Sequence, residues 1–230
     1  MIKGLIFDKD GTLFDFNATW GVWAGVMIRQ EAKGDANRIA ALAKVMGYDM
    51  TTEKFLPGSV VIASTVEETA SAMLTALPGE TLDTLIPRMN AAAGVVKQIQ
   101  AVPLIPYFDD LKSRRMKLGI ATNDAEEPAL INLISAGVRD HFDFIAGYDS
   151  GHGSKPGPGQ LNAFCAQTGL HPEQCAMVGD STHDLEAGRA AGMTTIGVLT
   201  GPALADELLP FADAVFDTIG EIPAWLDTQS

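Results

Sequence analysis

The chain has 230 residues, enough for one large domain or for a domain carrying an insertion. Hydrophobic residues make up 47% and charged residues 20%, a balance that excludes a disordered chain. With 16 basic against 29 acidic side chains the net charge is −13, so neither nucleic acid nor an anionic membrane is an expected partner, and an anionic ligand needs a local cation or clustered donors.

The first predicted element is "GLIF" at 4 to 7, an apolar run that reads as a buried strand and leads straight into "DKDGTLFD". It follows no charged leader with an apolar signal core, and no apolar run approaches the roughly 18 residues of a membrane span, so a cytoplasmic protein is expected. In an extended chain Asp8 and Asp10 point the same way, about 6.6 Å apart at roughly 3.3 Å per residue. At an effective dielectric of about 20 two such charges repel by on the order of 2.5 kcal/mol. A divalent cation beside them turns that repulsion into ligation, and an oxygen-only site points to magnesium. A surface turn is the alternative, because Asp, Gly and Thr all favour turns.

Residues 16 to 100 are Ala-rich and Met-bearing, without strand signals over most of their length. In "DANRIAALAKVM" Asp35 is placed to cap a helix, and in "STVEETASAMLTAL" Ser64 with Glu67 three residues on has the pattern of a capping box. The segment reads as a helical lobe inserted after the first strand. Trp20, Trp23 and Met27 are expected to be packing residues in its first helix. "GYDMTTEKFLPGS" at 47 to 59 is a polar break between two helical stretches, ending in a Pro57–Gly58 turn. Its Thr51, Thr52 and Lys54 are candidate contacts to a small anionic substrate, the alternative being a solvated loop.

From about 103 onward, short β-like runs alternate with helical ones. The strands are expected at 117–122, 142–147, 175–180, 194–199 and 212–217, and the helices near 125–136, 158–168 and 183–191. This repetition predicts an α/β fold with a doubly wound, Rossmann-like parallel sheet. Residues 1–15 and 101–230 would form that core, and 16–100 the small helical domain inserted in it. Cys165 and Cys175 are read as small buried apolar groups in a reducing compartment, with no metal-binding spacing.

In an open parallel sheet ligands bind beyond the carboxyl ends of the strands. Four polar clusters fall there: Asp8 and Asp10; Thr122, Asn123 and Asp124; Lys155 in "GSKPGPG"; and Asp180 with Asp184 one helical turn later. Taken singly, each is a helix cap or a solvated residue. Together they offer carboxylates for a cation, a hydroxyl and an amide for oxyanions, and an ammonium for negative charge. That is the equipment of phosphoryl transfer, where positioning and charge stabilisation do most of the catalysis.

With these four motifs in order, from "FDKDGTL" through "ATN" and "SKPGPG" to "GDSTHDLEAGRAAG", the chain resembles the phosphatases of the haloacid dehalogenase superfamily, and among them the phosphoglycolate phosphatase group. The resemblance covers the sheet-and-helix core, and the inserted lobe lies where that family carries a mobile cap. It implies Asp8 as a nucleophile that forms an aspartyl-phosphate, and Asp10 as general acid and then base. It implies Mg²⁺ held by the Asp8 carboxylate, the Asp10 carbonyl and Asp180, with Asp184 supporting the site or ligating directly. Thr122 and the Asn123 backbone N–H would grip phosphoryl oxygens, and Lys155 would offset their charge. Dehalogenases of the family lack the second carboxylate, so Asp10 favours phosphate ester chemistry. A small phosphorylated metabolite, 2-phosphoglycolate first, is the expected substrate of a monomer or homodimer. A phosphosugar mutase resembling β-phosphoglucomutase, another small-phosphate hydrolase of the same core, and a catalytically idle phospho-ligand-binding regulator are the alternatives.

Overall fold

Strand β1 is Gly4–Phe7, and its alternation divides two apolar clusters: Leu5 and Phe7 pack into one, Ile6 into the other. Both faces of such a strand are covered, which is why it reads as a continuous apolar run rather than an alternating one. The computed structural model describes residues 1–229 except 57, 63, 95 and 96, so the proline of the expected Pro57–Gly58 turn lies outside the described residues.

After β1 come α1 (Phe16–Ala32), α2 (Ala36–Met46), the short strands β2 (Tyr48–Asp49) and β3 (Lys54–Phe55), α3 (Val66–Leu74) and α4 (Leu82–Gly94). Helix and strand then alternate through α5 (Leu104–Ser113), β4 (Lys117–Ala121), α6 (Glu126–Ser135), β5 (Phe144–Ala146) and α7 (Gly159–Thr168). The chain closes with β6 (Cys175–Gly179), α8 (Thr182–Ala191), β7 (Thr194–Val198), α9 (Ala205–Leu208), β8 (Ala214–Phe216) and α10 (Ile222–Thr228). The main sheet has the order β5-β4-β1-β6-β7-β8 and every pairing in it is parallel, as the sequence pattern predicts. Among the described residues no helix is long and apolar enough to cross a membrane.

All five strands expected after residue 103 are present, each shorter than expected. Thr122 and Asp180 fall just past their strands because the chain leaves the ladder there and turns into the next loop or helix. Helices α5, α6 and α10 cover one face of the sheet, while α7 and α8 cover the other. The two cysteines are buried and free on the α7 side, with their sulfurs 3.9 Å apart.

The buried members of a third apolar cluster all come from residues 16 to 93, including Trp20, Met27, Leu42, Met46, Met73 and Met89. Asp35 caps α2 as expected, its carboxylate accepting from the Asn37 and Arg38 N–H groups. The capping box of α3 lies one residue later than expected, with Thr65 and Glu68 in place of Ser64 and Glu67. The sequence contains both overlapping frames; with helix α3 starting at Val66, Thr65 is the residue in extended geometry before it. The stretch at 47 to 59 is not a plain loop, because Tyr48 and Phe55 pair across β2 and β3 and stack edge to face at 5.3 Å.

Candidate active site

β1 lies in the middle of the sheet between β4 and β6, so the loops leaving these three adjacent strands start side by side. Asp8 follows β1, Thr122, Asn123 and Asp124 follow β4, and Asp180 follows β6. The loop between β5 and α7 adds Lys155. Asp8, Thr122, Asn123, Lys155, Asp180 and Asp184 are all buried, and with Asp10 they line one cleft. With Asp124, which also lines the cleft, all eight core residues of the four sequence clusters come together.

Lys155 is the hinge of the polar arrangement. Its ammonium donates to Asp8 Oδ1 at 2.7 Å and to Asp184 Oδ1 at 2.6 Å. Its backbone is clamped by the Asn123 side chain, whose Nδ2 donates to the Lys155 carbonyl at 3.1 Å while Oδ1 accepts the Lys155 N–H at 2.9 Å. This is a positioning task for the Asn123 amide that the sequence did not reveal. Burial pulls the Lys155 ammonium down, but Asp184 and Asp8 outweigh it and hold the group above the usual lysine range.

The carboxylate oxygens of Asp8, Asp180 and Asp184 lie within 4.8 Å of one another. Asp184 is fully engaged, since its second oxygen accepts from the Ser181 N–H at 3.0 Å and the Ser181 hydroxyl at 2.7 Å. Asp180 is held more loosely: its Oδ1 accepts from the Thr12 hydroxyl in a long contact of 3.5 Å. Burial pushes the Asp8 carboxyl up to about 6, with Lys155 opposing and Asp184 assisting the rise. Burial, then Asp8 and Asp184, push Asp180 well above the carboxylate range. Three carboxyls and one ammonium leave an oxygen-only site short of positive charge, which is the donor set of a hard divalent cation such as Mg²⁺. The pocket around Asp180 leaves no space for larger neighbours. A Cβ on Gly11, where φ is +79°, or on Gly201 would run into its carboxylate.

The sign of the proton linkage makes the fit testable. A carboxyl raised in the native state holds its proton while the unfolded chain has lost it, so its stabilising contribution fades as pH rises through the native value. For Asp8 that window runs from about 4 to about 6, and a cation that binds only the ionised carboxylates restores stability above it. Mg²⁺ at a hundredfold excess over its Kd is expected to raise Tm by about 5–10 °C at pH 8. The rise should be much smaller at pH 5. Scanning calorimetry at both pH values checks this, and an equal effect at the two would remove the carboxylates as the ligands.

Asp10 stands apart from this trio. Its Oδ2 pairs with Lys9 Nζ at 2.7 Å, and its Oδ1 accepts from the Trp20 indole N–H at 2.7 Å. Lys9, with no exposure at all, also meets Asp124 Oδ2 at 2.9 Å and Asn132 Oδ1 at 3.1 Å, and lies 5.4 Å from the centre of the Trp20 ring. Burial drives the Asp10 carboxyl up to about 7 against the pull of Lys9. Only the Asp10 backbone carbonyl is left to join the metal donors, the route the family resemblance implies. Trp20 thus does more than pack, because it touches the site from α1.

Thr122 Oγ1 accepts from the Asp124 N–H at 3.1 Å and faces the cleft. The three residues proposed for substrate contact in the lobe do not reach it. Thr51, Thr52 and Lys54 are exposed and absent from the cleft lining. Asp49 holds the first two in a local turn, accepting from the Thr51 N–H at 2.8 Å and the Thr52 hydroxyl at 2.9 Å. The lobe instead contributes Phe16, Trp20, Trp23, Val66, Thr69 and Met89. Their helical spacing gives no sign in the sequence that a ligand rather than a core lies beside them.

Residues 5–198 match the family model of haloacid dehalogenase-like hydrolases. The sequence is 37% identical over 112 residues to a phosphoglycolate phosphatase of Chromobacterium violaceum, an alignment covering 49% of this chain and half of that protein. It is 25% identical over 234 residues to a phosphoglycolate phosphatase of Salmonella typhimurium, covering 96% of this chain and 91% of the relative. The solved structure of CbbY from Rhodobacter sphaeroides, in complex with phosphate, has the same fold, with a TM-score of 0.70 at 19% identity over 96% of each chain.

Proposed function

The chain belongs to the haloacid dehalogenase-like hydrolases, and on that premise we propose that it hydrolyses small phosphomonoesters through a phosphorylated Asp8. One observation carries this reading: a buried carboxylate held by Lys155 at 2.7 Å lies in the same cleft as a second, separately held carboxyl, Asp10, raised to about 7. Burial raises both carboxyls, to about 6 and about 7, and their partners set them apart: Lys155 holds the oxygen that attacks, while Lys9 and the Trp20 N–H hold the group that gives its proton.

Asp8 attacks phosphorus, a bond from its carboxylate oxygen forms, and the ester P–O bond breaks. Asp10 gives its proton to the departing alcohol oxygen, which leaves neutral. Water then attacks the acyl phosphate while Asp10 takes a proton back, and phosphate and the free carboxylate of Asp8 are released. Lys155 offsets charge on the nucleophile and the phosphoryl oxygens, with Thr122 and the Asn123 N–H holding those oxygens. Asp8, Asp180 and the Asp10 carbonyl would hold Mg²⁺, with Asp184 beside them, and the ion would supply positive charge to the transferring group. Residues 16–100 act as a cap that excludes water and carries substrate selectivity, supported by the lobe's own apolar cluster and its share of the cleft wall.

The test is phosphate release from a panel of phosphomonoesters with and without Mg²⁺, with the alcohol measured beside it. Equimolar phosphate and alcohol, dependent on Mg²⁺, is the expected result. An isomeric phosphate with little free phosphate would move the assignment to transfer between sugar hydroxyls, and tight binding without turnover would move it to a phospho-ligand-binding regulator.

A further inference from the structure

Resting on the phosphatase reading, we propose that the alcohol part of the substrate is uncharged and apolar, best when aromatic, and is not a carboxylate such as glycolate. The lobe's side of the cleft is built from Trp20, Trp23, Phe16 and Met89, with Thr69 and Asn90 as uncharged polar neighbours. The two indoles meet edge to face at 5.2 Å and 90°, so a ring entering beside them finds an aromatic wall. Among the described residues, no Lys or Arg of segment 16–100 lines the cleft. Two basic residues of the lobe are placed elsewhere: Arg88 is held by Glu31 at 2.8 Å and Glu80 at 3.1 Å, and Lys54 is exposed on the hairpin.

The core side offers a second carboxylate no better place. Lys155 is already shared between Asp8 and Asp184, and Lys9 is enclosed by Asp10, Asp124 and Asn132. Asp124, paired with Lys9, lines the same cleft, so an anionic alcohol would meet another carboxylate there and no unpaired cation. Burying an unpaired carboxylate against apolar groups is strongly unfavourable. On the lobe side of the cleft, the Trp23 indole N–H is buried and without a hydrogen-bond partner among the described residues. It suits a neutral acceptor, such as an ether or amide oxygen, and cannot neutralise a charge.

The test measures binding and turnover on the wild-type, Mg²⁺-loaded protein. Calorimetry compares benzylphosphonate, phosphonoacetamide and phosphonoacetate, none of which is a phosphate ester, and a parallel assay compares benzyl phosphate with 2-phosphoglycolate. The proposal expects benzylphosphonate to bind about tenfold or more tighter than phosphonoacetate, with the amide between them, and kcat/KM to rank the two esters the same way. Equal or tighter binding of phosphonoacetate, or preference for 2-phosphoglycolate, overturns it and points to His183, the half-buried imidazole on the core side, as the carboxylate's partner. Absence of all turnover with the binding order intact would sink the phosphatase reading while leaving the apolar subsite in place.

Discussion

Asp8→Asn is expected to lower kcat by a factor on the order of 10⁴ or more while leaving the protein folded. The amide is the same size and keeps an oxygen that can accept from Lys155, so the contact at 2.7 Å survives. What disappears is the anionic oxygen that bonds to phosphorus. Stability should move the other way. Burial raises the native Asp8 carboxyl to about 6, so above that pH the native state ionises it less readily than the unfolded chain does. A neutral amide escapes this penalty, and the metal-free variant should melt no lower than the wild type at pH 8. Measuring kcat and Tm on the same preparations separates loss of chemistry from loss of structure. An acid quench during turnover adds the direct sign: phosphoryl label on the wild-type chain and none on the variant. A variant retaining more than about one-tenth of kcat would remove Asp8 from the nucleophile's position.

The sequence revealed Asp8 because an apolar strand ended in two carboxylates, and Asp184 because it follows Asp180 by one helical turn. Both signals are local, and the order of the sheet then brings them together. Lys9 lies between the two aspartates, and nothing around it in the chain marks it as buried. Its partners Asp124 and Asn132 come from the end of β4 and from α6, far along the chain, and Trp20 from the inserted lobe. Removing the ammonium would leave the half-buried carboxyls of Asp10 and Asp124 side by side without their counter-charge. Trp20 is hidden for the opposite reason. Its ring has the spacing of a core residue and does pack in the lobe, while its N–H finds Asp10 only in the folded chain. Thr51, Thr52 and Lys54 illustrate a third limit. Polar residues between helices look available for a ligand, yet the Tyr48–Phe55 pairing turns them toward solvent.

Asp10→Asn is expected to cut kcat on alkyl phosphates by about 10²–10⁴, the worth of a positioned general acid. The loss should depend on the leaving group. An alkoxide cannot depart without a proton, whereas p-nitrophenolate can, so the first step with p-nitrophenyl phosphate is largely spared. The second step still lacks its base, and the phosphorylated protein should accumulate. Stopped-flow then shows a burst of p-nitrophenol close to one per protein followed by slow turnover, and alkyl esters show no burst. In the wild type both Asp10 oxygens are occupied, by Lys9 and by Trp20, each a donor at 2.7 Å. A protonated carboxyl needs an acceptor for its own O–H, so the oxygen that meets the leaving group must first lose one of these donors. Trp20 is the candidate to yield, because it belongs to α1 of the inserted lobe whereas Lys9 is enclosed within the core. The proton itself is available because burial raises Asp10 to about 7. Above that pH the acid form is depleted, so kcat/KM for an alkyl ester should fall while that for p-nitrophenyl phosphate holds. A parallel fall on both esters would assign the titration to another group and leave Asp10 without its role as acid.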